Sequence, residues 1–322
     1  MSRIFDALQR QETERSGGDS TALPQGPDLL RRTERRVVSR WDADGPRPAS
    51  QATTSAKDGS LIDIAEAAGV APEPGIAEVR SLIERSAVLE KLPMLQISPT
   101  AQSRLVCLTD RESPTAEAIR LLGVRLRDIR HSRPLKKVLI TSTIPQEGKS
   151  TISANLACAL AQSTDEKVLL VEGDLRRPSL LRMFGVDGVP GITEYIQEEG
   201  SQLSDVYGLD DAGIWILPAG ETAGNPLELL QSQRLQVLMQ QLTAYFDWII
   251  IDSPPVLPLA DTSIWMRMAD GILLVTRQGT TEKHELQKGL EALYPNKLLG
   301  AVLNGAIAST YSGYYYQSRS SS

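Results

Sequence analysis

Four charged side chains and one hydroxyl mark where this chain can do chemistry: Lys149, Glu172, Asp174, Asp252 and Ser150. Lys149 and Ser150 close the run Ser142-Thr-Ile-Pro-Gln-Glu-Gly-Lys-Ser-Thr151. Backbone N–H groups of such a loop, and the N-terminus of a helix after it, face an anion. The lysine adds a point charge for β- and γ-phosphates, and the serine hydroxyl can hold a magnesium ion. Pro145, Gln146, Glu147, Gly148, Lys149, Ser150 and Thr151 are therefore the candidate nucleotide contacts. The general pattern G-x-x-x-x-G-K-[ST] asks for glycine where this chain has Thr143. A surface turn can contain Gly-Lys-Ser by chance, but the flanking elements agree with a nucleotide site.

Each acid closes an apolar run. Glu172 and Asp174 follow Lys167-Val-Leu-Leu-Val, and Asp252 follows Trp248-Ile-Ile-Ile. At spacing i, i+2 on a strand end, Glu172 and Asp174 are expected to point to one side and face a γ-phosphate together. One would orient an attacking hydroxyl while the other supports the metal. Ser150, Asp174 and Asp252 are the expected Mg²⁺ ligands, directly or through water. Phosphoryl transfer needs a phosphate cradle, a metal and a group that positions the attacking oxygen. Lys149, Glu172, Asp174 and Asp252 are the candidate catalytic set; the bland alternative for Glu172 is a cap on the loop.

The elements that must position these residues are legible from their texture. Lys137 to Thr141 reads as a buried strand, and Ile152 to Leu160 as a helix lying on a sheet. Further strands are expected at 167–172, Ile214–Leu217, 248–252, Gly271–Thr276 and Leu298–Leu303. Helices are expected after Ser113-Pro114, around Leu227–Leu230, at Arg234–Tyr245 and near Glu282–Leu293. Strands alternating with helices predict an α/β fold, an open and mostly parallel sheet of the P-loop type with ligands at the carboxyl ends of the strands. The loop and all three acids fall there.

The chain has 322 residues, 41% hydrophobic and 23% charged, with a formal net charge of -6. That acidity argues against broad nucleic-acid binding through phosphate neutralisation. No run approaches the roughly 18–20 apolar residues needed to span a bilayer, and the charged N-terminus does not read as a secretory signal. Cys107 and Cys158 sit in apolar contexts and read as small hydrophobes of a reducing compartment. A cytoplasmic location is expected.

Residues 1–60 are rich in Gly, Pro, Ser and Thr and read as a disordered or linker region. They contain a possible short amphipathic helix at Ile4 and Leu8, and a basic cluster at Arg31, Arg32, Arg35 and Arg36. Residues 61–110 read as a small adaptor ending in an edge strand at 104–109, and residues 111–305 as the nucleotide-binding domain. Residues 306–322 form a polar tail holding Tyr311, Tyr314, Tyr315 and Tyr316, four of the chain's eight tyrosines. From Ser309 onward the tail lacks aliphatic residues and cannot bury those rings. Beside a phosphoryl-transfer site they are candidate acceptors.

Taken together, three motifs resemble Walker A, A′ and B of the bacterial tyrosine kinases, the autokinases of capsule and exopolysaccharide synthesis. They are the loop 142–151, the strand end Glu172-Gly-Asp174-Leu-Arg-Arg-Pro178, and Phe246-Asp-Trp-Ile-Ile-Ile-Asp252-Ser-Pro-Pro255. Ser113-Pro114-x-x-Glu117-Ala-x-Arg120 resembles the helix before their loop, Gly300-Ala-Val-Leu-Asn304 the segment that meets adenine, and the tail their autophosphorylated cluster. The resemblance covers residues 113–316. It implies that ATP with Mg²⁺ phosphorylates tail tyrosines on a neighbouring subunit of a ring-like homo-oligomer. It also implies a membrane-spanning polysaccharide co-polymerase as activator, a tyrosine phosphatase, and a peripheral position at the inner face of the plasma membrane. Two positions depart from the family pattern: Glu172 stands where aspartate is usual, and Gly123 where a second arginine makes the ring contact, a role Arg125 can take over. The rival expectation is a nucleotide-binding scaffold or partitioning-type ATPase. That class carries a signature lysine where this chain has Ile144.

Overall fold

The computed structural model describes residues 85–163, 165–198, 205–221, 224–257 and 260–306. The chain divides into two units, residues 1–70 and 71–322, and every described residue belongs to the second. The readings made above for residues 1–60, for 61–84 and for the tail tyrosines fall outside the described residues.

The sheet is built around β2 (Lys137–Ser142), whose last five residues are buried. Around it run β1 (Met94–Leu95), β3 (Val168–Glu172), β4 (Tyr207–Leu209), β5 (Ile214–Leu217), β6 (Trp248–Asp252), β7 (Gly271–Arg277) and β8 (Leu298–Asn304). Their order is β1-β4-β5-β3-β6-β2-β7-β8. Every neighbouring pair is parallel except the β4–β5 hairpin. The apolar runs are unbroken because both faces are covered. Successive side chains go to opposite faces, so Val138 and Ile140 enter one core with Trp248 and Ile250. Leu139 enters the other with Ile249 and Ile251.

The first core is closed by α1 (Val106–Thr109), α2 (Pro114–Ser132) and α3 (Lys149–Ser163). Ser113 caps α2 by accepting the Ala116 N–H at 3.2 Å, and Pro114 occupies the first turn, where its missing N–H costs nothing. α3 is buried between the sheet and the helices outside it, which is why Ala154, Leu156, Ala157, Cys158 and Leu160 show almost no exposure. Both cysteines are free and buried. Gly123 faces Leu160, whose Cδ2 would lie 3.4 Å from an added Cβ. The position that departs from the family pattern thus seats α2 on α3, while Arg125 is exposed.

The remaining helices are α4 (Leu180–Phe184), α5 (Ile192–Gln197), α6 (Pro226–Gln231), α7 (Gln233–Tyr245), α8 (Asp261–Met268) and α9 (Lys283–Ala292). One expectation is overturned. Residues 104–109 do not form an edge strand; Val106–Thr109 is helical and β1, earlier in the chain, takes the edge. The buried Asn155 amide decides this, accepting the Cys107 N–H at 3.0 Å and donating to the Arg104 carbonyl at 2.9 Å. Those backbone groups are then unavailable to a sheet ladder.

Candidate active site

Register alone brings the acids together. Glu172 and Ile140 both pair with Asp252 across the central strands, so the ends of β3, β6 and β2 lie side by side. The chain beyond β6 continues along β2 as a strap under the loop. Ser253 N–H donates to Ile140 O at 3.1 Å, and Val256 N–H to Ser142 O at 2.7 Å.

Lys149 opens α3 and reaches across to the acids. Its Nζ lies 3.2 Å from Asp174 Oδ2 in a largely buried ion pair and 3.4 Å from Ser150 Oγ. Burial pulls the ammonium down, but Asp252 and then Asp174 together hold it above the ordinary lysine range. Asp252 is 1% exposed. Its Oδ1 accepts from Ser153 Oγ at 3.1 Å, while its Oδ2 is buried with no hydrogen-bond partner. Burial pushes this carboxyl up, against the opposing pull of Lys149. An orphaned carboxylate oxygen beside a lysine, a serine hydroxyl and a second carboxylate fits a hard divalent cation with oxygen ligands. Ser150, Asp252 and Asp174 are the residues that would hold it.

Glu172 and Asp174 do not share contacts. β3 ends at Glu172, so Gly173 and Asp174 leave the pleat and the i, i+2 relation no longer applies. Asp174 meets Lys149 and accepts the Arg177 N–H at 3.1 Å. The Glu172 Oε1 instead accepts the N–H groups of Ser179 and Leu180, the latter at 2.7 Å, at the start of α4. Burial pushes its carboxyl up to about 7, against those backbone donors. Glu172 also lines a groove of about 930 Å³ with Ser179, Arg182, Thr193, Glu194 and Gln197. The turn holding Asp174 is braced from α8. Trp265 Nε1 donates to Gly173 O at 3.0 Å, and Arg176 forms a bidentate pair with the buried Asp261 at 2.6 and 3.1 Å.

Within the loop, Pro145 and Gln146 are exposed and Glu147 is fully buried. Gly148 has φ +93, and a Cβ there would strike the Asn304 amide, so only glycine fits. Asn304 donates to the Glu147 carbonyl at 2.8 Å. The Thr151 carbonyl accepts from Asn155 at 2.8 Å. Sequence reasoning missed Ser153, Trp265, Asp261 and Thr281. Ser153 had a signal, since it stands four residues after Lys149 and so on the same helix face; the others had none.

Residues 137–293 match the family profile described as "Cellulose biosynthesis protein BcsQ". The chain is 36% identical over 217 residues to "Tyrosine-protein kinase YwqD" of Bacillus subtilis (strain 168), covering 67% of this chain and 91% of that protein. The chain belongs to the bacterial tyrosine-protein kinases. This kinase is also 37% identical over 177 residues to "Tyrosine-protein kinase CpsD" of Streptococcus pneumoniae serotype 4, covering 53% of this chain and 76% of that one. It spans 28% of the length of "Tyrosine-protein kinase etk" of Escherichia coli (strain K12), at 30% identity over 62% of its own. Among solved structures, the chimerical protein CapA2B2 superposes with a TM-score of 0.60 at 28% identity, covering 70% of this chain and 99% of that one. The kinase domain of Escherichia coli ETK gives 0.59 at 29%, with 64% and 81% covered. The kinase reading is thus favoured over the scaffold and partitioning alternatives.

Proposed function

We propose that residues 111–305 bind ATP with its phosphates on the 143–151 loop and transfer the γ-phosphate to Tyr311, Tyr314, Tyr315 and Tyr316 of a neighbouring subunit. The observation that carries this reading is the orphaned Asp252 Oδ2 beside the Lys149–Asp174 pair. A bound Mg²⁺ would supply charge stabilisation to the phosphates there. In the transfer, the bond from the tyrosine oxygen to phosphorus forms as the bridging bond to ADP breaks. The phenol proton passes to a carboxylate of this cluster other than the two that would hold the metal, which leaves Glu172 at the edge of the groove. Lys149 holds the transferring group, and the groove beside Glu172 admits the acceptor. Little covalent chemistry is left for the protein, so positioning and charge dominate.

This activity would serve capsule or exopolysaccharide biosynthesis or export, with a membrane-spanning co-polymerase as activator and a tyrosine phosphatase opposing it; the match to a cellulose-biosynthesis family supports a role in polymer synthesis. Among the described residues no helix is long and apolar enough to cross a membrane. A peripheral position through that activator accords with this. The test is mass spectrometry after incubation with ATP and Mg²⁺, with and without the co-expressed activator. Phosphate is expected on the tail tyrosines and is expected to vanish in Lys149→Ala. Undiminished phosphotyrosine in that variant, or none in the unaltered protein despite ATP binding, would overturn the reading.

A further inference from the structure

The phosphate loop has an outer side, and the residues that hold it lie far along the chain. Glu147 turns its fully buried carboxylate away from the Lys149 cluster and toward the end of β7. Its Oε2 accepts the Ile144 N–H at 2.8 Å, across the loop's own turn. Its Oε1 accepts the Thr281 hydroxyl and, at a longer 3.3 Å, the Arg277 N–H. No ion pair to Glu147 is present among the described residues, so hydroxyl and backbone donors carry the whole load. Thr281 is itself fixed. It sits on the turn after β7, with its N–H on the Arg277 carbonyl at 3.3 Å and its hydroxyl 3.1 Å from Thr276 Oγ1.

We propose that Thr281 is a positioning residue for the nucleotide loop, acting through Glu147. A buried carboxylate that loses a donor is left under-solvated and must move. Movement of Glu147 carries the Ile144 amide with it and shifts the loop N–H groups off the phosphate positions. Those amides hold the phosphates in the ground state and the transition state alike. Loss of their alignment therefore weakens binding more than it slows transfer. The inference rests on the reading that ATP phosphates lie on this loop.

The test uses the full chain with ATP and Mg²⁺, comparing Thr281→Val, which keeps the shape and removes the donor, with Thr281→Ser, which keeps the donor. Calorimetric titration gives the ATP Kd, autophosphorylation gives KM and kcat, and thermal unfolding controls for folding. Thr281→Val is expected to raise Kd and KM about tenfold, the scale of one hydrogen bond to a charged group, with kcat changed less than about twofold. Thr281→Ser is expected to restore both. Glu147→Gln, which puts an amide donor where only acceptors fit, is expected to raise KM in the same way. Wild-type KM in either Thr281→Val or Glu147→Gln overturns the inference, as does a fall in Tm or kcat with KM unchanged. Failure of the unaltered protein to bind ATP overturns the reading of the loop instead, which keeps the two apart.

Discussion

Glu172 is the residue whose surroundings depart most from what its position in the motif suggests. Aspartate is usual there in the family it resembles, and the extra methylene of glutamate has a visible use. It brings Oε1 to the N–H groups of Ser179 and Leu180 at the start of α4, donors that a five-residue helix has no carbonyl of its own to satisfy. The carboxyl stays buried, and that burial pushes it up to about 7. Glu172→Asp would restore the usual residue and yet draw the acceptor back from α4. We expect it to lower stability by about 1–2 kcal/mol, the cost of unmaking such bonds, measured by denaturant unfolding. A variant as stable as the parent would show that α4 does not depend on this acceptor.

At the scale of elements, α9 packs onto the loop at a single cleared position. A Cβ on Gly289 would lie 2.6 Å from Thr143 Oγ1, so the threonine that replaces the pattern's glycine is accommodated by a glycine on the facing helix. Gly289→Ala is expected to cost about 1–3 kcal/mol through overpacking. Adding Thr143→Gly should recover most of that, a coupling that a double-mutant cycle on thermal stability measures directly. Simple additivity would mean the two residues do not share this contact. No local pattern in the sequence announces such a pairing, nor the bond from Thr281 to Glu147. The long aliphatic runs of β2, β3, β6 and β7 were legible because a strand covered on both faces has no polar positions to obscure it. The short elements were not. β4 is three residues long, α8 sits between a proline-rich strap and β7, and residues 106–109 carry a strand-like texture that Asn155 overrides. The loop and the acids were legible for a different reason, since each ends a readable strand. Their contacts were not, because β3 stops at Glu172 and lets Asp174 turn toward Lys149.

For the molecule as a whole, the parallel strands place Lys149, the acids and Asn304 at one end of the sheet, where open α/β sheets bind ligands. β8 ends at Asn304 on the loop itself, and Tyr311 follows seven residues later, within about 24 Å at full extension. The groove beside Glu172 lies on the other side of the loop. β3 stands four strands from β8 and β5 five, about 19–24 Å at the usual strand spacing. Tyr311 would need most of that reach to enter the groove in its own chain, whereas the tail of a second molecule meets no such limit. We therefore expect transfer to Tyr311 to pass between chains. A mixture of Lys149→Ala chains, which keep the tail, with chains whose Tyr311, Tyr314, Tyr315 and Tyr316 are phenylalanine, which keep the loop, tests this without further assumptions. Phosphate should appear on Tyr311 of the Lys149→Ala chains, at a rate that rises with total concentration. No phosphate on the Lys149→Ala chains, while the unaltered protein under the same conditions does acquire it on Tyr311, would place the transfer within one chain.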